Sequence, residues 1–427
     1  MGDSEFSHLA SSHERVKISV KELELGMYVV ELDKPWLDSP FLFQGFELLS
    51  EADIKSVQHE CKFVYVDVSK QNKRKKTTGT KNKKSQRFTT IWHEIHKPAI
   101  QRRVFEEEFE SAVDAYRSSS NLIMEFMDDV RLGKSINTNA AKQVVSKCVD
   151  SILHSPDALM WMTQLKNKDS YTSQHSMNVC ILSIALGRQI KLSIEELNQV
   201  GLCGMMHDMG KMKIPLDILN KPDRLDDKEY KVMQSHTTHG WKLLMSSRNM
   251  YEGAIDVAYS HHERLTKGGY PRGLSEESLT PYTRMVAITD MYDAITSDRV
   301  YKRGENHLDA INLLTKASGH HLDPGLVIKF IECLGIYPLG SIVEMSSGEI
   351  AIVIEVNPEK KIKPKIIILR DEDGKDVPER IVDLAKLDLD ASGNAYRIRS
   401  IVRAVDYDID VRKYYENDLI GKGFAAL

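Results

Sequence analysis

Cysteine is scarce in this sequence and shows no paired spacing. Cys61, Cys148, Cys180, Cys203 and Cys333 are spread over 427 residues without a CxxC. That excludes a disulfide framework and a structural zinc knot, and it fits a reducing compartment with free buried thiols. Long apolar runs are also missing. The longest, around Val179 to Leu186, is too short to cross a bilayer and reads as one helix face. The opening residues, MGDSEFSHLA, are polar and lack the apolar core of a secretory signal. Neither sign of charge dominates: the formal net charge is −4, which argues against a general nucleic-acid binder. No internal repeat is visible. The expectation is a cytoplasmic protein with no membrane contact and no stable nucleic-acid partner.

What is present is ordinary globular material. Apolar residues make up 41% and charged residues 28%, enough for two to four domains with a sizeable core. Residues 1–14 read as a disordered lead. Residues 15–69 read as a small α+β domain: VKISV alternates, GMYVVEL and FVYVDV are strand-like, FLFQGFELL is an apolar run after Pro40, and a short helix covers Glu51–Gln58. It holds no cluster of catalytic residue types. Residues 70–95 form a basic linker, the composition of a solvated segment. Residues 96–153 read as connecting helices. Phe105, Phe109, Val113 and Tyr116, then Ile123, Phe126, Met127 and Val130, recur at three- and four-residue steps. That helix, around 99–130, either packs on the next domain or forms a homodimer contact. Residues 154–336 are almost wholly helical. Residues 337–427 turn to strand, with GSIVEM and IAIVIEV as a β-hairpin across SSGE and KIIIL as a further strand; the tail DYDIDVRKYY gives no reading.

The residues with chemistry to offer lie in the helical region. His207-Asp208 follows an apolar helical run and precedes Gly210-Lys211. An imidazole beside a carboxylate is a poor core pair but a good donor pair for a divalent metal, and a carboxylate can bridge two. Alone, such a dipeptide is equally a surface pair or a helix end. Four further clusters change the balance: His175 at the start of an apolar helix, His236 in SHTTHG, the doublet His261-His262 followed by Glu263, and Asp290 in DMYDAITSDRVYK. Five polar clusters beside apolar faces need five separate explanations, or one dinuclear site. Imidazoles with two carboxylates suit Fe, Mn, Ni or Zn rather than Mg or Ca.

These elements resemble the HD-GYP family, a branch of the HD phosphohydrolases. The likeness rests on HDMGK at 207–211, SHTTHG at 235–240, HHERLTKGGYP at 261–271, DMYDAITSDRVYK at 290–302 and LDPGLV at 322–327. GMYVVELDKPWLDSPFLFQGF resembles a small domain of unknown function that often precedes such catalytic domains in bacteria. The resemblance implies a mainly α protein: an all-helical HD-type catalytic bundle with a small N-terminal α+β domain and a small C-terminal β-rich appendage. It implies hydrolysis of a cyclic dinucleotide, cyclic di-GMP or cyclic GMP-AMP, to a linear dinucleotide by water activated between two divalent transition metal ions, with Fe, Mn and Ni the leading candidates. One ion would take His175, His207, Asp208 and Asp290. The other would take His236, His261 and His262, with Asp208 shared. Lys211 falls where the family places a lysine on the scissile phosphate. Tyr270, Arg299 and Lys302 fall where it contacts the ligand, and Asp293 and Glu263 are expected to orient donors from outside.

The sequence departs from the family in places. Tyr171 stands where some members carry a glutamate that supports a third metal, so two ions are expected. Thr266 and Lys267 stand where an acidic or amide residue and a glycine are usual. His239, His320 and His321 match no family donor position; His239 is left out of the site, and His320 and His321 read as structural. Two other functions remain open on the sequence. One is a metal-loaded but catalytically idle sensor or scaffold. The other is a general HD nucleotidohydrolase acting on mononucleotides or (p)ppGpp.

Overall fold

A computed structural model describes residues 15–33, 46–48, 51–67, 105–154, 160, 162–163, 171–298, 303–357, 360–390 and 393–409. The lead, the basic stretch 70–95, Arg299, Lys302 and the tail from 410 lie outside them. The chain divides into two compact units, Met1–His93 and Glu94–Leu427.

The first unit is a small sheet with one helix. β1 (Arg15–Ser19), β2 (Tyr28–Leu32), β3 (Phe46–Glu47), α1 (Glu51–Glu60) and β4 (Phe63–Asp67) follow in order. The strands lie β1-β4-β2-β3 and pair antiparallel. Val64 and Val66, two residues apart on β4, point to the same side of the sheet. There they are buried with Val29, Leu48 and Val57.

The second unit begins with a helical bundle. α2 (Phe105–Arg131), α3 (Thr138–His154), α4 (Tyr171–Gln189) and α5 (Ile194–Met206) are followed by a 3-10 turn, Met209–Lys213. Then come α6 (Leu216–Leu219), α7 (Asp227–Gln234), α8 (His236–Ser246), α9 (Glu252–Ser260), α10 (Pro281–Thr296), α11 (His307–Ala317) and α12 (Pro324–Leu334). Helix starts follow local chemistry. Ser193 with Glu196 and Asp226 with Glu229 form capping boxes, which satisfy first-turn N–H groups. Pro281 and Pro324 open α10 and α12 behind the side-chain caps Thr280 and Asp323.

α4 is the axis of the bundle, and here the sequence reading needs correction. Its apolar run is not one face: from Met177 to Leu186 every residue is at most 3% exposed. A helix enclosed on all sides needs no polar stripe. Tyr116, Ile123, Phe126, Met127 and Val130 of α2 are buried, and α2 packs on α3 and α4 of the same chain. The described half of the apolar stripe, from Tyr116 to Val130, is thus covered within the chain; the side chains of Phe105, Phe109 and Val113 lie outside the described residues. Cys61, Cys148, Cys180 and Cys203 are buried and free, whereas Cys333 is partly exposed. Among the described residues no helix is long and apolar enough to cross a membrane.

After α12 the chain forms an antiparallel sheet of β5 (Ile342–Met345), β6 (Ile350–Glu355), β7 (Lys365–Arg370), β8 (Asp376–Asp383) and β9 (Ile398–Val402). The spatial order is β8-β7-β6-β5-β9. Its core gathers Val343, Met345, Ala351, Val353, Ile366 and Ile368. The hairpin and the third strand match expectation; the two edge strands add to it.

Candidate metal centre

Five separate segments bring their polar residues to one place. α4 carries His175, the junction after α5 carries His207 and Asp208, the start of α8 carries His236, the end of α9 carries His261 and His262, and α10 carries Asp290. Within this group His236, His261 and His262 approach one another closely enough to hold one ion, as do His175, His207 and Asp208.

Three of the imidazoles sit just past helix C-termini, each beside a main-chain carbonyl of the preceding turn. His207 Nδ1 lies 2.7 Å from Gly204 O, His236 Nδ1 2.7 Å from Met233 O, and His261 Nδ1 3.0 Å from Val257 O. His175 differs, because its Nδ1 meets a side chain, Asp293 Oδ2, at 2.7 Å. A carbonyl or an ionised carboxylate can only accept, so each Nδ1 carries a proton, and in the neutral ring the lone pair falls on Nε2.

Those lone pairs converge around Asp208. Oδ2 of Asp208 lies 3.4 Å from His175 Nε2 and 3.2 Å from His207 Nε2. Its other oxygen, Oδ1, lies 3.4 Å from His236 Nε2 and 3.7 Å from His261 Nε2. Asp290 Oδ1 stands 3.1 Å from His175 Nε2 and 3.9 Å from His207 Nε2. One carboxylate thus faces two sets of imidazoles, one through each oxygen. Lys211 Nζ donates to Asp208 Oδ2.

The donor set fits divalent cations on three observations. His207 Nε2 and Asp208 Oδ1 are buried without a hydrogen bond, an expensive arrangement for polar atoms. Nε2 of His236 and Nε2 of His261 face each other at 3.3 Å, and in the neutral rings protonated at Nδ1 neither has a proton to share. Burial acts to raise Asp208, but the charge of Lys211 and the approach of His207 outweigh it and hold the carboxyl well below the usual range. Asp290 is likewise held low against burial, chiefly by the close approach of His175. Burial pushes His236 down to about 3, and burial with the neighbouring imidazoles drives His262 well below its ordinary value. Neutral imidazoles and ionised carboxylates are the metal-binding forms of both groups.

The rim is built from the segment after His262. The Tyr270 ring stacks on His262 with centroids 4.7 Å apart, and the Tyr270–Pro271 peptide is cis. Both carboxylate oxygens of Glu263 are occupied by backbone N–H groups, from Arg272 at 2.7 Å and Leu274 at 2.9 Å. Glu263 therefore ties down this loop, whereas the sequence reading had it orient a donor. Gly269 is required here, because a Cβ would lie 2.4 Å from Glu263 Cα. Lys267 adopts φ +63°, the left-handed region that favours the family's glycine. His320 O accepts from Thr266 N and Thr266 Oγ1 at 3.1 and 2.9 Å. His239, His320 and His321 are absent from the donor clusters among the described residues.

Sequence reasoning missed Asn178, which donates to Asp293 Oδ1 at 2.9 Å. Its place three residues after His175 on the same helix was the available signal. It also missed His307, buried between the Tyr292 hydroxyl at 2.8 Å and Gly335 O at 3.0 Å.

Residues 15–141 match a domain of unknown function, 159–326 an HD domain, and 342–396 a KOW domain associated with HD domains. A cyclic di-GMP phosphodiesterase of Pseudomonas aeruginosa is 35% identical over 373 residues, covering 87% of this chain and 89% of its own length. A 3′3′-cGAMP-specific phosphodiesterase of Vibrio cholerae is 32% identical over 157 residues, 37% of this chain and 36% of its own. Among solved structures, an HD-GYP-like protein of Bdellovibrio bacteriovorus aligns with a TM-score of 0.45 at 17% identity, over 74% of this chain and 98% of its own. With a full-length relative at that level of identity, and with the motifs gathered around one carboxylate, the chain belongs to the HD-GYP family of HD-domain phosphodiesterases.

Proposed function

We propose that this chain hydrolyses a phosphodiester bond of a bacterial cyclic dinucleotide, cyclic di-GMP or 3′,3′-cyclic GMP-AMP, to give the linear dinucleotide. The observation that carries the reading is Asp208, whose two oxygens face two separate sets of imidazoles. The names of the Pseudomonas and Vibrio relatives support the substrate class.

Two divalent ions, Fe, Mn or Ni, suit this donor set. One would be held by His175, His207, Asp208 and Asp290, the other by His236, His261, His262 and Asp208. When bound, such ions supply Lewis acidity at phosphate and lower the pKa of water. The remaining work falls to side chains. Asp293 keeps the His175 proton on Nδ1, so Nε2 stays a donor atom. Lys211, whose side chain is 23% exposed, can turn its ammonium from Asp208 to the phosphate oxygens, where charge builds as the bond breaks. Tyr270 offers an aromatic face at the rim, and stacking on such a face orients a base.

The test is direct. The stripped chain is reloaded with Fe(II), Mn(II) or Ni(II) and incubated with each cyclic dinucleotide, and products are separated by chromatography. Linear dinucleotide from at least one substrate is expected, and it should be lost in Asp208→Ala. Absence of linear product from both substrates in all three metal forms would overturn the proposal.

A further inference from the structure

A chain of buried hydrogen bonds leads away from the donor cluster to a helix that supplies none of the donors. Tyr116 on α2 donates its hydroxyl to Asn178 Oδ1 at 2.9 Å. Asn178 donates Nδ2–H to Asp293 Oδ1 at 2.9 Å, and Asp293 Oδ2 accepts from His175 Nδ1 at 2.7 Å. All four side chains are nearly closed to solvent: Tyr116 is 6% exposed, Asn178 2%, Asp293 1% and His175 2%.

The links have a direction. With Oδ1 of Asn178 toward the phenol and Nδ2 toward the carboxylate, the amide has one satisfied orientation; the flipped amide would set oxygen against oxygen at Asp293. The Tyr116 hydroxyl is thus what occupies Asn178 Oδ1 and holds the amide proton on Asp293. α2 also meets the centre a second time. Lys213 Nζ donates to Val130 O at 2.6 Å, and Lys213 closes the 3-10 turn that carries Lys211. Tyr116 and Val130 belong to one unbroken helix, and a rise of about 1.5 Å per residue places them roughly 21 Å apart along it.

We propose that Tyr116 is a positioning residue for the candidate metal ligand His175, so that α2 is a working part of the centre as well as a packing helix. The inference rests on the metal-site reading above. Removing the hydroxyl leaves Asn178 Oδ1 buried without a donor, loosens the amide and slackens the carboxylate that orients His175. Direct loss of a partner that orients a ligand weakens metal binding by about 10–100-fold; two hydrogen bonds further out, about 3–10-fold is expected.

The experiment uses the full chain, stripped of metal and titrated with Co(II) against a chromophoric chelator, with the Co(II) absorption recorded alongside. Tyr116→Phe keeps the ring and removes one oxygen. Its control is Ser183→Ala, which breaks the buried Ser183–Thr289 hydroxyl pair, 2.9 Å apart, between α4 and α10 without touching the Tyr116 chain. The expected result is that Tyr116→Phe weakens one binding step several-fold and alters that step's Co(II) spectrum, while Ser183→Ala leaves both steps as in the wild type. Unchanged binding in Tyr116→Phe would overturn this proposal alone. Equal weakening in both variants would also overturn it, by showing a merely structural effect. A wild-type chain that takes up no Co(II) would remove the metal-site reading together with this one.

Discussion

Gly210 stands where the 3-10 turn of Met209–Lys213 crosses α8, and replacing it by alanine tests how closely the two must approach. A Cβ built on Gly210 would lie 1.9 Å from the carbonyl oxygen of His236 and 2.3 Å from the nitrogen of Gly240. Both are main-chain atoms of one helix, so neither can rotate aside. Restoring a carbon–oxygen contact of about 3.3 Å drives turn and helix apart by more than about 1 Å. Asp208 heads that turn and His236 begins that helix, and their facing atoms are 3.4 Å apart. The substitution therefore pulls Asp208 Oδ1 out of reach of the His236 side of the centre and carries Lys211 with it. Overpacking of this kind costs about 1–3 kcal/mol. A misplacement of about 1 Å at the reacting groups lowers turnover roughly 100-fold, or about 2.7 kcal/mol in barrier. Melting of the stripped protein reads the first quantity, and linear dinucleotide formed per second reads the second. Gly240 supplies an internal control, because a Cβ there would meet its nearest neighbour, Gly210 N, at an ordinary 3.5 Å. Gly240→Ala should keep stability within about 0.5 kcal/mol or improve it, since alanine is the better helix residue. Near-wild-type behaviour of Gly210→Ala, or equal damage from the two variants, would refute the reasoning.

Three other outcomes follow from the same geometry. Asp293→Asn sets an amide that must face two donors, His175 and Asn178, so the His175 proton should move to Nε2; metal affinity measured by chelator competition should fall about 10–100-fold, and unchanged affinity would show that another group orients His175. Stripping bound cations should lower the melting temperature by several degrees, and adding them back should restore it, because they bind only the folded donor set; a melting curve indifferent to chelator would count against the centre. His307 is pushed down to about 4 by burial, with its Gly335 hydrogen bond working the other way. Its neutral form is favoured in the folded state, so its contribution is fully present above the unfolded value near 6.5 and is lost as pH falls toward 4, as much as about 3 kcal/mol. The fall in melting temperature over that window should be shallower in His307→Asn than in the wild type.

Much of this layout could be read from the chain, because its signals are local. The three- and four-residue recurrence of Ile123, Phe126, Met127 and Val130 marked α2, and those side chains are buried. The strand alternation around Val64 and Val66 marked β4 in the same way. The edge strands β8 and β9 escaped notice for a physical reason. β8 reads DVPERIVD, with a proline and four charges in eight residues, as suits an edge that must not pair further. Its partner on the far edge, β9, lies beyond a polar stretch. α4 was misjudged because a short apolar run looks alike whether it coats one face or the whole helix. At the centre, residue types named the candidate donors, but convergence does not show in spacing: His175 and Asp290 are 115 positions apart in the chain and 3.1 Å apart in space. Glu263 was misassigned for the converse reason. It neighbours a donor in sequence, yet its carboxylate turns to the backbone of the following loop.

The way the imidazoles are anchored divides the centre into two kinds of corner. His207, His236 and His261 are held by main-chain oxygens at helix ends, which exist whatever side chains the neighbouring positions carry. Drift in the surrounding sequence leaves those three rings hard-wired as long as the helices end where they do. His175 alone among these four is held by a replaceable side chain. Selection, or an engineer, wishing to retune the centre without dismantling it has one adjustable screw, and it lies on the α4 side.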